Sequence, residues 1–253
     1  MISNQTMWAL VSLVVFATIS ISLGTINSHS QQETSKKQEN KGYEDLSKYA
    51  VVDYDAPEAA NLVEREDRNL KNKRYDKQYL VDKNPHPETG GVSRIDEINP
   101  PPVIPAVESD LIVIGEIVNA NAHLSNDKSG IYTEFTVRVD EILKNDASRK
   151  VNQGDFIAAD RAGGFVRYPN GQKVLYRISQ RDLPRIGNRY VLFLTRDKQN
   201  PNYEILTGYE LNDNSFSPLD TKRHADDFKP TGKLDFIKSI RNKISESGKQ
   251  SKN

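Results

Sequence analysis

The stretch Leu111-Ile112-Val113-Ile114-Gly115-Glu116-Ile117-Val118 decides the fold of this chain. It is rich in β-branched residues, which favour extended strands. Its continuous apolar character near the start predicts a strand that is buried on both faces. Gly115 interrupts the run, and its missing side chain favours a bend. The stretch therefore predicts a long, curled strand at the centre of a β-structure.

Further strands follow over about 100 residues, separated by short polar turns. Residues 132–143 alternate between apolar and polar side chains, as expected of a half-buried strand. Asn170-Gly171 predicts a tight hairpin turn. The other predicted strands are 155–160, 165–168, 173–178, 189–195, 203–207 and 209–211. We therefore expect a mainly β protein with a small antiparallel barrel of the OB type, five-stranded and partly open, and with a β-sandwich as the alternative.

The most apolar run of the chain lies near its N-terminus, at residues 8–23. As a helix, this run is near the shortest length that spans a bilayer, and it also suits the apolar core of a signal peptide. We expect residues 1–30 to be a signal peptide or a membrane anchor. The folded domain then lies outside the cytoplasm, either membrane-anchored or secreted into the periplasm or beyond after cleavage. Lys36, Lys37 and Lys41 oppose this orientation under the positive-inside rule.

The flanks of the predicted barrel are polar. Residues 31–107 are densely charged and contain prolines, and we expect a largely disordered linker in which 58–80 is a solvated spacer, with a partner-binding helix as the alternative. The barrel domain is predicted at 108–216 and a polar tail at 217–253. Within the tail, apolar residues at helical spacing predict a short amphipathic helix over 233–245. We expect this helix to pack on the barrel, with attachment to an anionic membrane as the alternative.

Composition excludes several classes of function. The chain has 253 residues, in which 35 Lys and Arg balance 35 Asp and Glu, and it has no cysteine. The charge balance excludes a globally basic nucleic-acid binder, so no nucleic acid is expected as a partner. Without cysteine there is no disulfide, thiolate metal site or thiol nucleophile. The four histidines, at positions 29, 86, 123 and 224, share no ligand spacing, and no metal or other cofactor is predicted.

One local charge bias lies between residues 161 and 196, where eight basic residues accompany a single acid, Asp182. Aromatic residues are interleaved with them, a mixture that holds polyanions by charge and stacking. We expect the hairpin to project and to present Arg167 and Tyr168 to solvent. The alternative is that these arginines form ordinary surface ion pairs. The candidate ligand-binding residues are Arg161, Arg167, Tyr168, Lys173, Arg177 and His123.

Three stretches carry a resemblance to known proteins: Ser109–Val118, Tyr132–Lys144 and Arg189–Leu194. Together they resemble exported bacterial proteins of unknown function that contain an OB-like barrel. They are also similar to the netrin-like modules of metalloproteinase inhibitors, which are OB-type barrels. The resemblance implies a barrel fold and export. The disulfides and the cysteine-led inhibitory edge of netrin-like modules are absent here, so the resemblance does not imply inhibition.

These features predict an exported or membrane-tethered binding module. Its partner is expected to be an anionic glycan, a lipid or a protein of the cell envelope, bound by the hairpin and by the loop at residues 123–128. No catalytic sequence motif is present, which favours a non-enzymatic protein. The alternative is a hydrolase of envelope material whose carboxylates are brought together only by the fold. A third hypothesis is a structural role in envelope assembly.

Overall fold

The computed structural model describes most of the chain from residue 46 onward. The predicted N-terminal segment, residues 1–30, lies outside the described residues, and so do His29, His86 and His224. Among the described residues, no helix combines the length and the apolar character needed to cross a membrane. The described residues are 46–57, 60–83, 92–95, 102–196, 202–220 and 231–250.

Strands dominate the described residues. The helices are a 3₁₀ helix at Leu46–Lys48, α1 at Leu62–Lys73 and α2 at Lys233–Gln250. The strands are β1 (Val51–Asp53), β2 (Val92–Ile95), β3 (Leu111–Leu124), β4 (Ile131–Lys144), β5 (Phe156–Ala162), β6 (Gly164–Arg167), β7 (Lys173–Ile178), β8 (Arg189–Arg196), β9 (Tyr203–Leu211) and β10 (Phe216–Pro218).

Five strands close into a barrel in the order β3–β4–β5–β9–β8, and β8 pairs again with β3. All neighbours are antiparallel except β5 and β9, which run parallel. This is the OB-type barrel that the sequence predicted, in a closed form rather than a partly open one. The parallel pair was not predicted, because strand order depends on contacts that are distant in sequence.

The long strand β3 curls around the barrel as predicted. Its register against β4 shifts between Ile114 and Gly115. A Cβ atom at Gly115 would lie 2.6 Å from the backbone oxygen of Arg138, so this close approach requires glycine. The barrel interior is filled by apolar side chains, including Leu111, Val113, Phe135, Val137, Leu192 and Ile205.

A second sheet, in the order β1–β6–β7–β2, includes strands from the predicted linker. β1 and β2 both come from the region 31–107, and each pairs parallel with one strand of the hairpin. The side chains of Tyr49, Tyr75 and Leu80 from the same region are buried. Within the described residues, the predicted linker is therefore largely folded. Its buried residues are few and widely separated along a polar stretch, apart from the adjacent Leu80 and Val81, so they produce no periodic pattern in the sequence.

The hairpin of β6 and β7 is buried on both faces, contrary to the prediction that it projects. The Tyr168 amide donates to the Gln172 carbonyl at 2.9 Å, which closes a three-residue loop with Gly171 at φ +83°. A two-residue turn on Asn170-Gly171 would shift the pairing of β6 with β7 by one residue. Such a shift moves the side chains of a strand to the opposite face of the sheet. In the observed register, Phe165 opposes Leu175, and both join the barrel core.

The C-terminal helix α2 packs on the barrel, which confirms this expectation from the sequence. It begins at Lys233 as predicted and extends to Gln250, beyond the predicted end at 245. Phe236 and Ile240 are fully buried against the outer side chains of β3, β8 and β9. The apolar stripe of the helix is therefore used inside the protein.

Candidate functional site

Arg161, the first predicted binding residue, lies in the protein interior. Its side chain is 1% exposed and forms an ion pair with Asp220, which is also buried. The second oxygen of Asp220 accepts a hydrogen bond from the Thr207 hydroxyl at 2.6 Å. Each of the two buried charges thus has an opposite charge as its partner, which offsets part of the cost of taking it out of water. This pair joins β5 to the chain that follows β10, and it is structural.

The hairpin residues are engaged within the protein. Arg167 forms a two-point ion pair with Asp53 of β1, in which Nη2 lies 2.7 Å from Oδ2. The Tyr168 side chain is 5% exposed, and its hydroxyl lies 2.7 Å from that of Tyr176. The prediction that the hairpin presents Tyr168 outward is therefore wrong. Its ring packs in a buried apolar cluster that includes Val166 and Val174.

The two remaining basic residues of the predicted cluster differ from each other. Arg177 pairs with Asp182, the one acid of the basic stretch. Lys173 is exposed at the start of β7, next to the hairpin turn. The structure thus shows ion pairs at or near the surface for Arg167 and Arg177, as in the alternative, whereas the ion pair of Arg161 is buried. It does not bring these residues together as one binding surface.

His123 lines a cleft of about 610 Å³ at one end of the barrel. The cleft is bounded by α1, by residues 52–57 before it, and by the turn at 125–128 that follows β3. Its uncharged polar lining includes Asn69, Asn72, Ser125 and Asn126. Side chains of this kind bind oxygen-rich groups through both donors and acceptors.

Cationic side chains outnumber acidic ones in the cleft. Arg65, Arg68 and Lys128 line it, together with the acids Asp53 and Glu64. Asp53 is already held by the hairpin arginine described above. The lining therefore carries an excess of positive charge, which favours an anionic ligand.

The turn after β3 is held rigidly by one carboxylate. Oδ1 of Asp127 accepts hydrogen bonds from the Ser125 hydroxyl at 2.7 Å and from the Ser129 amide at 2.9 Å. Oδ2 accepts from the Lys77 amide at 2.9 Å. Burial opposes ionisation of Asp127, but these hydrogen bonds together outweigh it and hold the pKa of Asp127 far below its usual range. The carboxylate is therefore charged at neutral pH, and it fixes the turn to the chain that follows α1.

Lys128 is placed by this turn at the edge of the cleft. Its backbone is left-handed, with φ +56°. Its Nζ donates to the Tyr54 carbonyl at 2.8 Å and lies 4.8 Å from the centroid of the Tyr54 ring. The nearest carboxylate, that of Asp55, is 3.8 Å away and exposed. The ammonium thus lies at the cleft wall with only a weak ion pair.

His123 contributes a neutral imidazole. Its ring lies against Tyr132, with centroids 5.4 Å apart, and its Nε2 is buried without a hydrogen-bond partner. Burial, together with the smaller effect of the nearby Arg68 charge, lowers the pKa of His123 to about 4. At neutral pH the ring is uncharged, so it offers one donor and one acceptor nitrogen.

Three carboxylates form a row across adjacent strands next to the cleft. Glu134 of β4 opposes Asp160 of β5, which in turn opposes Glu204 of β9. Directly opposed residues point to the same face of a sheet. We call these three residues the carboxylate row. Arg74, which caps the C-terminus of α1, pairs with both Asp160 and Glu204.

Helix α1 covers the carboxylate row with its cationic face. Lys71 Nζ lies 2.8 Å from Oε2 of Glu134, and Arg68 Nη1 lies 3.7 Å from the same oxygen. Arg68 also donates to the Tyr132 hydroxyl at 3.3 Å, and this hydroxyl donates to Asn72 at 2.9 Å. The positive charges of the helix therefore lie opposite the negative charges of the barrel.

The members of the row have different environments. Burial raises the pKa of Asp160 to about 6, despite the nearby Arg74. Burial also opposes ionisation of Glu134, but the hydrogen bond and the charge of Lys71 outweigh it, so the pKa of Glu134 is lowered. The hydrolase hypothesis requires two carboxylates that face a substrate. Here the row faces α1, and its members pair with cations of that helix and its cap.

Sequence reasoning missed the cations contributed by α1 and its cap. The available signal was the strict spacing of three between Arg65, Arg68, Lys71 and Arg74, which places each basic residue next to the following one on a helix surface. This spacing was obscured by the acids between them. Within the described residues, no group of histidine and acidic side chains is suited to hold a metal ion.

The fold and the cleft define a closed OB-type barrel with a polar, cation-lined site between the barrel and a helix from the N-terminal flank. No protein-family model matches this chain, and the comparison with curated proteins found no match. The resemblance to exported bacterial proteins therefore stays a prediction from the sequence.

Proposed function

We propose that this protein is a binding module that takes a small anionic ligand in the cleft between α1 and the turn after β3. The observation that carries the proposal is the convergence of Arg65, Arg68 and Lys128 on one cleft. These residues come from two separate parts of the chain, and the fold brings them together. Charge-assisted hydrogen bonds from such groups are stronger than neutral ones.

The size and lining of the cleft support an oxygen-rich ligand. Its volume of about 610 Å³ falls within the range of small-molecule sites. The guanidinium groups suit planar or tetrahedral oxyanions, whereas Lys128 supplies a point charge. The amides of Asn69 and Asn126 and the imidazole of His123 add neutral polar groups. A phosphate ester or an acidic sugar has the matching chemistry.

The proposed site of action is outside the cytoplasm. This part of the proposal rests on the apolar run at residues 8–23 and on the resemblance over 109–212. The intact mass of the mature protein, isolated from cell envelopes, distinguishes a cleaved form from an anchored form. Recovery of the protein from the cytoplasm alone would contradict it.

Calorimetric titration with inorganic pyrophosphate and with a heparin disaccharide, at low ionic strength, tests the proposed ligand class. We expect at least one of these anions to bind the wild-type protein. Lys128→Gln should weaken that binding about tenfold, the effect of losing one charge-assisted contact. Lys173→Gln is the matched control, because it removes the same charge from the exposed hairpin. Absence of binding by both anions, or equal losses in the two variants, would contradict the proposal.

A further inference from the structure

Helix α1 packs on the barrel with its apolar residues outward. Leu62, Val63 and Leu70 are 60%, 67% and 70% exposed, and none of the twelve residues of the helix is buried. A helix on a globular protein ordinarily buries its apolar stripe. Apolar burial therefore does not hold α1 in place.

Charges and hydrogen bonds hold α1 instead. Lys71 and Arg68 contact Glu134, and the Asn126 amide donates to the Asn69 carbonyl at 2.9 Å. The ion pairs are partly exposed, so each contributes little and is weakened by salt. A segment held in this way belongs to the least stable part of a native structure.

The chain is anchored more firmly on both sides of α1. Before the helix, β1 pairs with β6, and the Tyr54 amide donates to the Arg167 carbonyl at 2.9 Å. After the helix, the side chains of Tyr75 and Leu80 are buried, and the Leu80 amide donates to the Ser129 carbonyl at 2.8 Å. Helix α1 can therefore leave the barrel while its two ends remain attached.

Arg68 connects the carboxylate row to the cleft. Arg68 lines the cleft and also lies 3.7 Å from Glu134 of the carboxylate row. Arg65 lines the same cleft from the preceding turn of the helix. Departure of α1 from the row would thus remove two of the three cations that surround a bound anion.

We infer that α1 is a strap that closes over an anion in the cleft and that the carboxylate row fastens this strap by charge. The anion-holding role rests on the proposed function, whereas the fastening of α1 does not. Removing negative charge from the carboxylate row should let α1 detach from the barrel and should weaken anion binding. Binding and fastening are then coupled, so a bound anion should in turn hold α1 more firmly.

The fastening is tested on the full chain by hydrogen exchange, without any ligand. We expect Glu134→Gln to speed exchange of the α1 amides several-fold, because it removes the charged partner of both Lys71 and Arg68. Added salt should speed the same amides in the wild type, while the amides of β3 stay unchanged. Leu70→Gln is the matched control and should leave α1 exchange unchanged, since its side chain is exposed and Gln has a helix propensity close to that of Leu. Equal exchange of α1 in Glu134→Gln and the wild type would overturn the inference.

The anion-holding role is tested by pyrophosphate titration of Glu134→Gln and Asp55→Asn. Both variants remove a carboxylate near the cleft, and electrostatics alone predicts tighter anion binding in both. The strap predicts several-fold weaker binding in Glu134→Gln and equal or tighter binding in Asp55→Asn, because Asp55 contacts Lys128. Tighter binding in Glu134→Gln would overturn the strap. Faster α1 exchange in Glu134→Gln, together with no binding of any anion by the wild type, would support the fastening and contradict the proposed function.

Discussion

Replacing His123 or Asp160 should change the pH dependence of stability in opposite directions. Burial lowers the pKa of His123 from 6.5 to about 4, so the folded protein binds this proton more weakly than the unfolded chain does. The free energy of unfolding therefore decreases as the pH falls from 6.5 towards 4, because the unfolded chain takes up this proton first. At 1.36 kcal/mol for each pKa unit, the loss amounts to about 3 kcal/mol.

Asp160 has the opposite sign. Burial raises its pKa from 3.8 to about 6, so the folded protein binds this proton more tightly. Its contribution is fully present below pH 3.8 and is lost as the pH rises through 6. The resulting change in the free energy of unfolding is again about 3 kcal/mol. In the wild type, the two contributions therefore oppose each other across nearly the same pH range.

Urea unfolding of the wild type, His123→Asn and Asp160→Asn between about pH 4 and pH 7 measures both effects. Subtracting the wild-type free energy of unfolding at each pH removes the groups that the three proteins share. As the pH rises, the difference should fall by about 3 kcal/mol for His123→Asn and rise by about 3 kcal/mol for Asp160→Asn. Difference curves that are flat, or that slope in the same direction, would contradict the opposite pKa shifts of His123 and Asp160.

Three further predictions concern stability. Asp220→Asn should cost about 3–5 kcal/mol in urea unfolding, because it leaves a buried Arg161 charge, and Arg161→Met with Asp220→Leu should recover most of that loss. Equal costs for the single and double variants would contradict this. Phe236→Ala should cost about 3–5 kcal/mol and loosen α2; unchanged thermal unfolding would count against it. Gly130→Ala should destabilise the protein by about 2 kcal/mol or more, because its Cβ would lie 2.0 Å from the backbone oxygen of Tyr75. A free energy of unfolding equal to that of the wild type would contradict this prediction.

The barrel could be predicted because its signals are local. The run at 111–118 and the alternation at 132–143 are long enough to specify strands without knowledge of their partners. Gly115 marks the register shift of β3, and the apolar spacing at 233–245 marks the helix that covers one side of the barrel.

The site could not be predicted because its parts are distant in sequence. Lys128 and Arg68 are brought together only when α1 docks, and α1 is docked by polar contacts that leave no hydrophobic period. The basic stretch at 161–196 suggested a surface, but its acidic partners Asp53 and Asp220 lie far away along the chain. A charge bias in sequence shows where cations are and does not show which of them are already paired.

The most direct test of the anion-binding cleft is a titration of the isotope-labelled protein with pyrophosphate, followed by amide chemical shifts. We expect the shifts that change to belong to residues 64–72 of α1 and to 123–128 at the end of β3 and its turn, the two sides of the cleft. Changes confined to the hairpin at 167–173, or no saturable change at any amide, would contradict it.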